Sequence, residues 1–331
     1  MQSAINVAPI SAANSNDKML AQFMNLVDDF DYDNPPPPHM FTVAGIIPAG
    51  KVTLFAGEGA AGKTQTIIDL CQKVAYPVIQ NGLIIDTWLG AAIQETGSII
   101  YASAEETRED FHSRFADLGC GDRKGDSGHN IYILDKAVMA AQPFFTLNGD
   151  NVVSSDSLHT LREMARQLRP KLIVIDTLNS LCPVNIDSNT SHGQAVMQRL
   201  GVIAAESGAA IIVTHHITKS GDITNRQSAR KAVKGTTGVV DGARNVIVIW
   251  QAAERKAKGA VEAGIVIDES HLFCAAVVKE NTKGTDNRER FFTKDMTCGG
   301  TMREVTNMPA DKAPEPKKRA SRGRKQAAAS A

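Results

Sequence analysis

The sequence predicts an α/β fold: a mostly parallel, doubly wound sheet with a C-terminal antiparallel extension. Apolar, β-branched runs recur at 51–56 (KVTLFA), 98–103 (SIIYAS), 131–134 (IYIL), 171–176 (KLIVID), 210–215 (AIIVTH) and 245–250 (NVIVIW). Their apolar character is continuous rather than alternating, as expected of strands buried on both faces. Helical patterns at 63–75, 105–118, 157–168 and 193–207 separate the runs, and alternation of this kind builds right-handed βαβ units. Segments 262–268, 272–280 and 288–293 read as shorter strands with Gly or Asp turns between them, the antiparallel extension.

Ahead of this core, Met19, Leu20, Phe23, Met24, Val27 and Phe30 recur at helical spacing, among and before the acidic residues Asp28, Asp29, Asp31 and Asp33. Pro35 to Pro38 then stop any helix and form a stiff spacer. Residues 1–40 therefore read as a flexible arm whose amphipathic helix, over 18–30, folds back on its own core or docks on a neighbour. At the other end residues 306–331 lose apolar periodicity and carry Lys317, Lys318, Arg319, Arg322, Arg324 and Lys325, a disordered basic tail. The globular domain is expected between them, over 41–305.

The chain of 331 residues is long enough for a sizeable core, and its 36 basic and 36 acidic residues cancel. Zero formal charge excludes a global attraction to nucleic acid or membrane, so any such attraction must be local. The cysteines Cys71, Cys120, Cys182, Cys274 and Cys298 form no C-x-x-C pair and have no zinc-like His spacing. They read as reduced, mostly buried thiols of a cytoplasmic protein. The first thirty or so residues lack a basic segment followed by an apolar block, and no run approaches the roughly eighteen apolar residues of a membrane span.

Between the run 51–56 and the helix 63–75 stands Gly57-Glu58-Gly59-Ala60-Ala61-Gly62-Lys63-Thr64, the spacing of a phosphate-binding P-loop. Successive backbone N–H groups wrap phosphates, and glycines permit a close approach that a Cβ would block. Lys63 is expected to reach the β- and γ-phosphates of ATP, and the Thr64 hydroxyl to hold Mg²⁺ at the dipolar start of the helix, with Thr66 also in the nucleotide site. Asp176 ends the strand LIVID at the carboxyl edge of the sheet, where it can complete the Mg²⁺ shell. Hydrolysis also needs a carboxylate to orient and deprotonate water. Glu105 and Glu106 follow the strand SIIYAS; Glu106 suits the first turn of the helix 105–118, which leaves Glu105 as the base. His215 and His216 end AIIVTHH at the same edge, where a pair can report γ-phosphate.

The order GEGAAGKT, YASAEE, FHSRFADLG, LIVIDTLNSL, IIVTHHITKSG, GTTGVVDGARN and VVKENTKG, over about 41–295, resembles the RecA-like ATPases of the RepA type, the hexameric replicative helicases of plasmids and mobile elements. The resemblance implies a RecA-like P-loop core, a homo-oligomer of hexameric form, ATP bound between neighbours, and replication proteins as further partners. It assigns Lys63 and Thr64 to phosphate and Mg²⁺, Glu105 to catalysis, Asp176 as the second acidic residue and His215 as γ-phosphate sensor. Arg244 falls where the family places an arginine finger reaching the next subunit, and such a guanidinium neutralises charge developing on the transferred phosphoryl group. Arg114 matches a family arginine whose role is left open, and Lys279 is a further candidate for the subunit boundary. Residues 80–97, with Trp88, and the basic tail lie outside the resemblance.

Residues 217–235 carry Lys219, Arg226, Arg230, Lys231 and Lys234 against the single Asp222, without periodicity. Following the sensor strand, this segment is a candidate to present cations to single-stranded DNA or RNA, and it has no aromatic residue for stacking. The tail cations could add non-specific affinity. The leading expectation is thus a ring-forming DNA helicase. The alternatives are a RecA-like module in which ATP gates DNA binding for annealing, recombination or regulation, and, least favoured, a small-molecule kinase.

Overall fold

The apolar runs assemble into one sheet of 9 strands in a computed structural model of the chain. It describes residues 33–59, 61–125, 128–218, 223–233, 237–265, 267 and 271–309, with the isolated positions 19 and 21. The predicted helix over 18–30 (apart from 19 and 21), Ala60, Lys219, Lys234 and the tail from 310 onward lie outside the described residues. The chain divides into two units, Met1–Pro38 and His39–Ala331. Of the first, residues 33–38 are exposed and irregular; everything below concerns the second.

The main strands are β1 (Val52–Gly57), β2 (Ile99–Ser103), β3 (Ile131–Leu134), β4 (Leu172–Asp176), β5 (Ala210–His216), β6 (Asn245–Gln251), β7 (Leu272–Glu280), β8 (Arg290–Asp295) and β9 (Thr301–Val305). Their spatial order is β9-β8-β7-β6-β1-β5-β4-β2-β3. Strands β6, β1, β5, β4, β2 and β3 are parallel, and β7 to β9 extend the sheet antiparallel from β6. The helices used below are α1 (Lys63–Ala75), α2 (Arg108–Asp117), α3 (Asp156–Leu168), α4 (Thr190–Ser207), α5 (Arg226–Ala232), α6 (Thr237–Gly242) and α7 (Glu254–Glu262). Strand-to-helix passage through a P-loop at β1–α1, within this strand order, is a RecA-like α/β core.

Side chains alternate between the two faces of each central strand, so each strand feeds two cores. Val52, Leu54 and Ala56 of β1 pack with Leu158, Leu161 and Ala165 of α3 and with Val196 and Leu200 of α4. Phe55, on the opposite face, packs with Ile67, Ile68 and Cys71 of α1 and with Phe111 of α2. Each fully buried Leu, Ile or Phe contributes about 1.5–3 kcal/mol relative to exposure, which is why the continuous runs rather than the helices anchor the layer order.

Several expectations need correction. The helix expected over 105–118 begins at Arg108, because Thr107 and Asp110 form a capping box, so Glu105 and Glu106 stand free of it. No strand occupies the start of 262–268: α7 runs through Glu262 and turns at Gly264, its buried face made only of Ala257 and Ala260. The strand β9 was not anticipated, since only Met302 and Val305 mark it as apolar. Residues 79–92 form two small hairpins, Ile79–Gln80 with Leu83–Ile84 and Thr87–Trp88 with Ala91–Ala92. Among the described residues no helix is long and apolar enough to cross a membrane.

Candidate nucleotide site

The P-loop is shaped by its first and last fixed glycines. A Cβ on Gly57 would lie 2.5 Å from Ile249 Cγ2 and 2.9 Å from the Ile249 carbonyl oxygen of β6, so only glycine fits where the strand leaves the sheet. Gly62 caps α1 in the left-handed region at φ 86, and its carbonyl accepts from the Thr66 hydroxyl at 2.8 Å and the Thr66 amide at 2.9 Å. Thr66 is therefore a brace for the loop and the first turn of α1. A Cβ on Gly59 meets nothing within 4 Å.

Lys63 is 7% exposed, and its ammonium donates to the carbonyls of Gly57 at 3.0 Å and Glu58 at 2.8 Å. Burial lowers its pKa, opposed by the negative charges of Asp176, Glu105 and Glu58. The Thr64 hydroxyl donates to Asp176 Oδ2 at 3.0 Å, which joins the two predicted Mg²⁺ residues directly. Asp176 is buried and takes two further hydroxyl donors: Tyr101 at 2.7 Å, from β2 on one side of β4, and Thr214, from β5 on the other. Burial and the adjacent carboxylate hold the Tyr101 phenol well above its ordinary pKa, so it stays a donor. Sequence reasoning missed Tyr101 and Thr214, whose one signal is a hydroxyl inside an otherwise apolar strand.

Glu105 lies exposed at the tip of β2, where its Oε1 accepts from the Thr177 hydroxyl at 2.9 Å, one residue beyond Asp176. Glu106 instead pairs with Arg114, which donates through Nη2 at 2.8 Å and Nε at 3.3 Å. The same guanidinium reaches Gln65 Oε1 of α1 at 3.4 Å. Arg114 thereby ties α2 and the β2 tip to the P-loop helix. His215 is beside Ala56 and His216 beside Gly57 in the register of β5 with β1. His215 has no exposed surface, with its Nε2 3.9 Å from Asp187 Oδ1, so it touches a ligand only if its surroundings move; His216 is half-buried.

The insertion at 79–92 also serves this site. Trp88 is buried against Phe55 with ring centroids 5.7 Å apart, and its indole N–H donates to the Thr66 carbonyl at 2.8 Å. It holds the first turn of α1 from behind.

Arg244 stands at the other edge of the sheet. Its amide donates to the Val52 carbonyl at 2.9 Å, at the start of β1. The 6 residues of β1 span roughly 20 Å, so the exposed guanidinium does not reach the P-loop of its own chain. It lines an open groove of about 790 Å³ together with Lys51, Gln194, Gln198, Val202 and Asp241. Lys279, expected at a subunit boundary, points inward instead. Its ammonium donates to the carbonyls of Val240, Asp241 and Ala243 at 3.0, 2.8 and 2.8 Å, closing the C-terminal end of α6.

The segment 217–235 is not simply a loop, for residues 226–232 form α5 behind an Asn225 cap. Arg226 donates to the Val277 carbonyl at 3.0 Å and lies 3.7 Å from Glu280, and Arg230 lies 3.9 Å from Asp241. Lys231 is exposed.

The residues around the P-loop fit a Mg²⁺-nucleotide: an enclosed ammonium, a cradle that excludes Cβ atoms, and a hydroxyl–carboxylate pair of hard oxygen ligands. Among the described residues no group of three or more His, Cys, Asp or Glu side chains could hold a metal ion.

The chain is similar to the DNA repair protein RadA of Mycobacterium tuberculosis, from strains CDC 1551 / Oshkosh and ATCC 25618 / H37Rv, at 23% identity over 192 residues. That stretch is 57% of this chain and 31% of RadA, so the chain spans about a third of the curated relatives it matches. A KaiC-like protein of Pyrococcus horikoshii OT3 superposes with a TM-score of 0.49 at 17% identity, over 81% of this chain and 100% of that one. The AAA domain family matches residues 18–222, more than half of the sequence and the whole of the P-loop site, and the chain belongs to that family.

Proposed function

We propose that the chain is an ATP-hydrolysing, RecA-like motor that assembles head to tail into a ring and acts on single-stranded DNA, with strand separation of the RepA type as its task. The observation that carries the ATPase reading is the direct Thr64–Asp176 contact beside the enclosed Lys63. Bound ATP with Mg²⁺ supplies the phosphoryl group whose transfer to water releases free energy. The loop amides and Lys63 would bind and orient the phosphates, and Thr64 with Asp176 would hold the metal. Glu105 is the base: its free Oε orients water and takes its proton, while Thr177 fixes the other oxygen. His215, enclosed beside β1, transmits the state of the site through β5 to residues 217–233 rather than touching the nucleotide.

Arg244 completes the site of a neighbour. It lies too far from its own P-loop to act there and lines an open groove on the opposite edge, which suits a head-to-tail ring. Lys231, with Lys219 and Lys234 flanking it in sequence, is the best candidate for DNA phosphates, since Arg226 and Arg230 are engaged within the chain. The similarity to proteins named for DNA repair favours a second reading, ATP-gated DNA binding without unwinding. A forked-DNA strand-separation assay beside DNA-stimulated ATPase decides between them. Separation supports the helicase, stimulation without separation supports gated binding, and absence of any ATP turnover removes both.

A further inference from the structure

The antiparallel extension ends in a hairpin, β8 and β9, that folds over the P-loop. Lys294 and Met302 are cross-strand partners in that hairpin, so their side chains share a face. Both aim at Gly62: a Cβ placed on that residue would lie 3.4 Å from Lys294 Cε, 3.7 Å from Met302 Cε and 3.8 Å from Lys294 Nζ. The ammonium of Lys294 also lies 4.9 Å from the centroid of the Phe273 ring on β7, which supports it from the sheet side. The turn of the same hairpin closes on α1 again, since a Cβ on Gly299 would meet Gln65 Nε2 at 2.9 Å. Glu304, two residues beyond Met302 and on the same face of β9, fills the space a Cβ on Gly90 would need.

We infer that Lys294 is a second, cis-acting phosphate-binding residue of the nucleotide site, brought to the P-loop by the C-terminal hairpin. The position argues for an anion. Gly62 is the cap of α1, where the helix dipole is already positive, and the ammonium of Lys63 lies in the residue that follows. Burial lowers the Lys294 pKa, a cost to the ammonium that an anion beside it offsets. A polyphosphate at the P-loop is attracted by all three, and Gly62 and Lys63 are the residues expected to meet one. The contact rests on the reading of 57–64 as the ATP site and deepens it, because residues 290–305 lie outside the stretch matched by the AAA domain family.

The test is equilibrium titration of the full chain with Mg-ATP and Mg-ADP, and displacement of a fluorescent ATP analogue by inorganic tripolyphosphate, which has phosphates but no base. Lys294→Met keeps the length and apolar stem of the side chain. It should weaken ATP, ADP and tripolyphosphate alike by about tenfold, the scale of one charge-assisted hydrogen bond, whereas Lys294→Arg should restore most of the affinity. A loss for ATP with tripolyphosphate unchanged would mean that the side chain reads the base, and would overturn the assignment, as would no loss at all. Should Lys294→Met fail to fold, Lys294→Gln is read in the same titrations. Lys63→Ala separates the two levels: if the unaltered chain binds no nucleotide that this substitution removes, the ATP-site reading falls, whereas binding that Lys63→Ala abolishes and Lys294→Met leaves intact overturns the Lys294 contact alone.

Discussion

At the carboxyl edge of the sheet Lys63 and Asp176 are buried and interlocked, whereas at the amino edge Arg244 lies exposed along an open groove with Lys51 beside it. The same strands build both edges. At the first, Asp176 takes hydroxyl donors from α1, β2 and β5 and Lys63 is held by two loop carbonyls, so the charges are fixed within one chain. At the second, Lys279 is enclosed by three carbonyls of its own chain, but among the described residues the Arg244 guanidinium makes no ion pair or side-chain hydrogen bond. Burial lowers the pKa of Lys51, and Arg244 lowers it further. The contrast is between a site preorganised in one molecule and a cationic surface left open. On the proposed reading, a site divided in this way makes catalysis depend on assembly.

The largest expected effects test that division. Lys63→Ala should reduce steady-state ATP turnover by at least about a thousandfold and abolish nucleotide binding, since it removes the enclosed phosphate ligand. Arg244→Ala should reduce turnover by about a thousandfold as well, yet leave the nucleotide Kd within roughly threefold, because a finger acts on the transition state. Mixing Arg244→Ala with Glu105→Gln subunits should restore part of the turnover, as some interfaces then carry both intact groups. If no ratio of the two restores activity, the amino edge does not act on a neighbour and the comparison collapses.

Smaller effects test how each edge is supported. Lys279→Met strands the carbonyls of Val240, Asp241 and Ala243, and should cost about 1–3 kcal/mol in urea denaturation. Because those carbonyls lead directly into Arg244, turnover should fall with nucleotide affinity unchanged. Trp88→Phe removes one hydrogen bond to the Thr66 carbonyl while keeping an aromatic ring against Phe55, and should cost about 1 kcal/mol. Here nucleotide affinity should weaken instead, since Thr66 braces the P-loop. The same kinetic signature from both variants would show that the two edges are not separately supported.

The parallel core was legible because its strands are continuous apolar runs, and the P-loop and Asp176 because they sit where such runs end. What was not legible depends on register. Tyr101 and Thr214 reach Asp176 only because β2 and β5 flank β4, and a hydroxyl in an apolar run does not announce its partner. The capping box of Thr107 and Asp110 was written in the sequence, and reading it would have freed Glu105 from α2. The faces that α5 and α7 bury consist of alanines, Ala229 and Ala232 in one and Ala257 and Ala260 in the other, too weakly apolar to reveal a helical period. Lys279 was misread for a general reason: lysine is usually a surface residue, and only the closing end of α6 explains an enclosed one.

The smallest effect concerns which cations of α5 face outward. Arg226 and Arg230 have partners within the chain, while Lys231 is exposed, so the three should separate under salt titration of single-stranded DNA binding. Each phosphate contact contributes a slope of about −0.7 in a plot of log K against log salt for single strands. Lys231→Ala should make the slope shallower by about that amount with stability unchanged. Arg226→Ala should leave the slope as it is and cost about 1 kcal/mol of stability, through the lost bond to the Val277 carbonyl. If Arg226→Ala shallows the slope and Lys231→Ala does not, α5 turns over on binding DNA, and its outward-facing charge is not the set seen in the free chain.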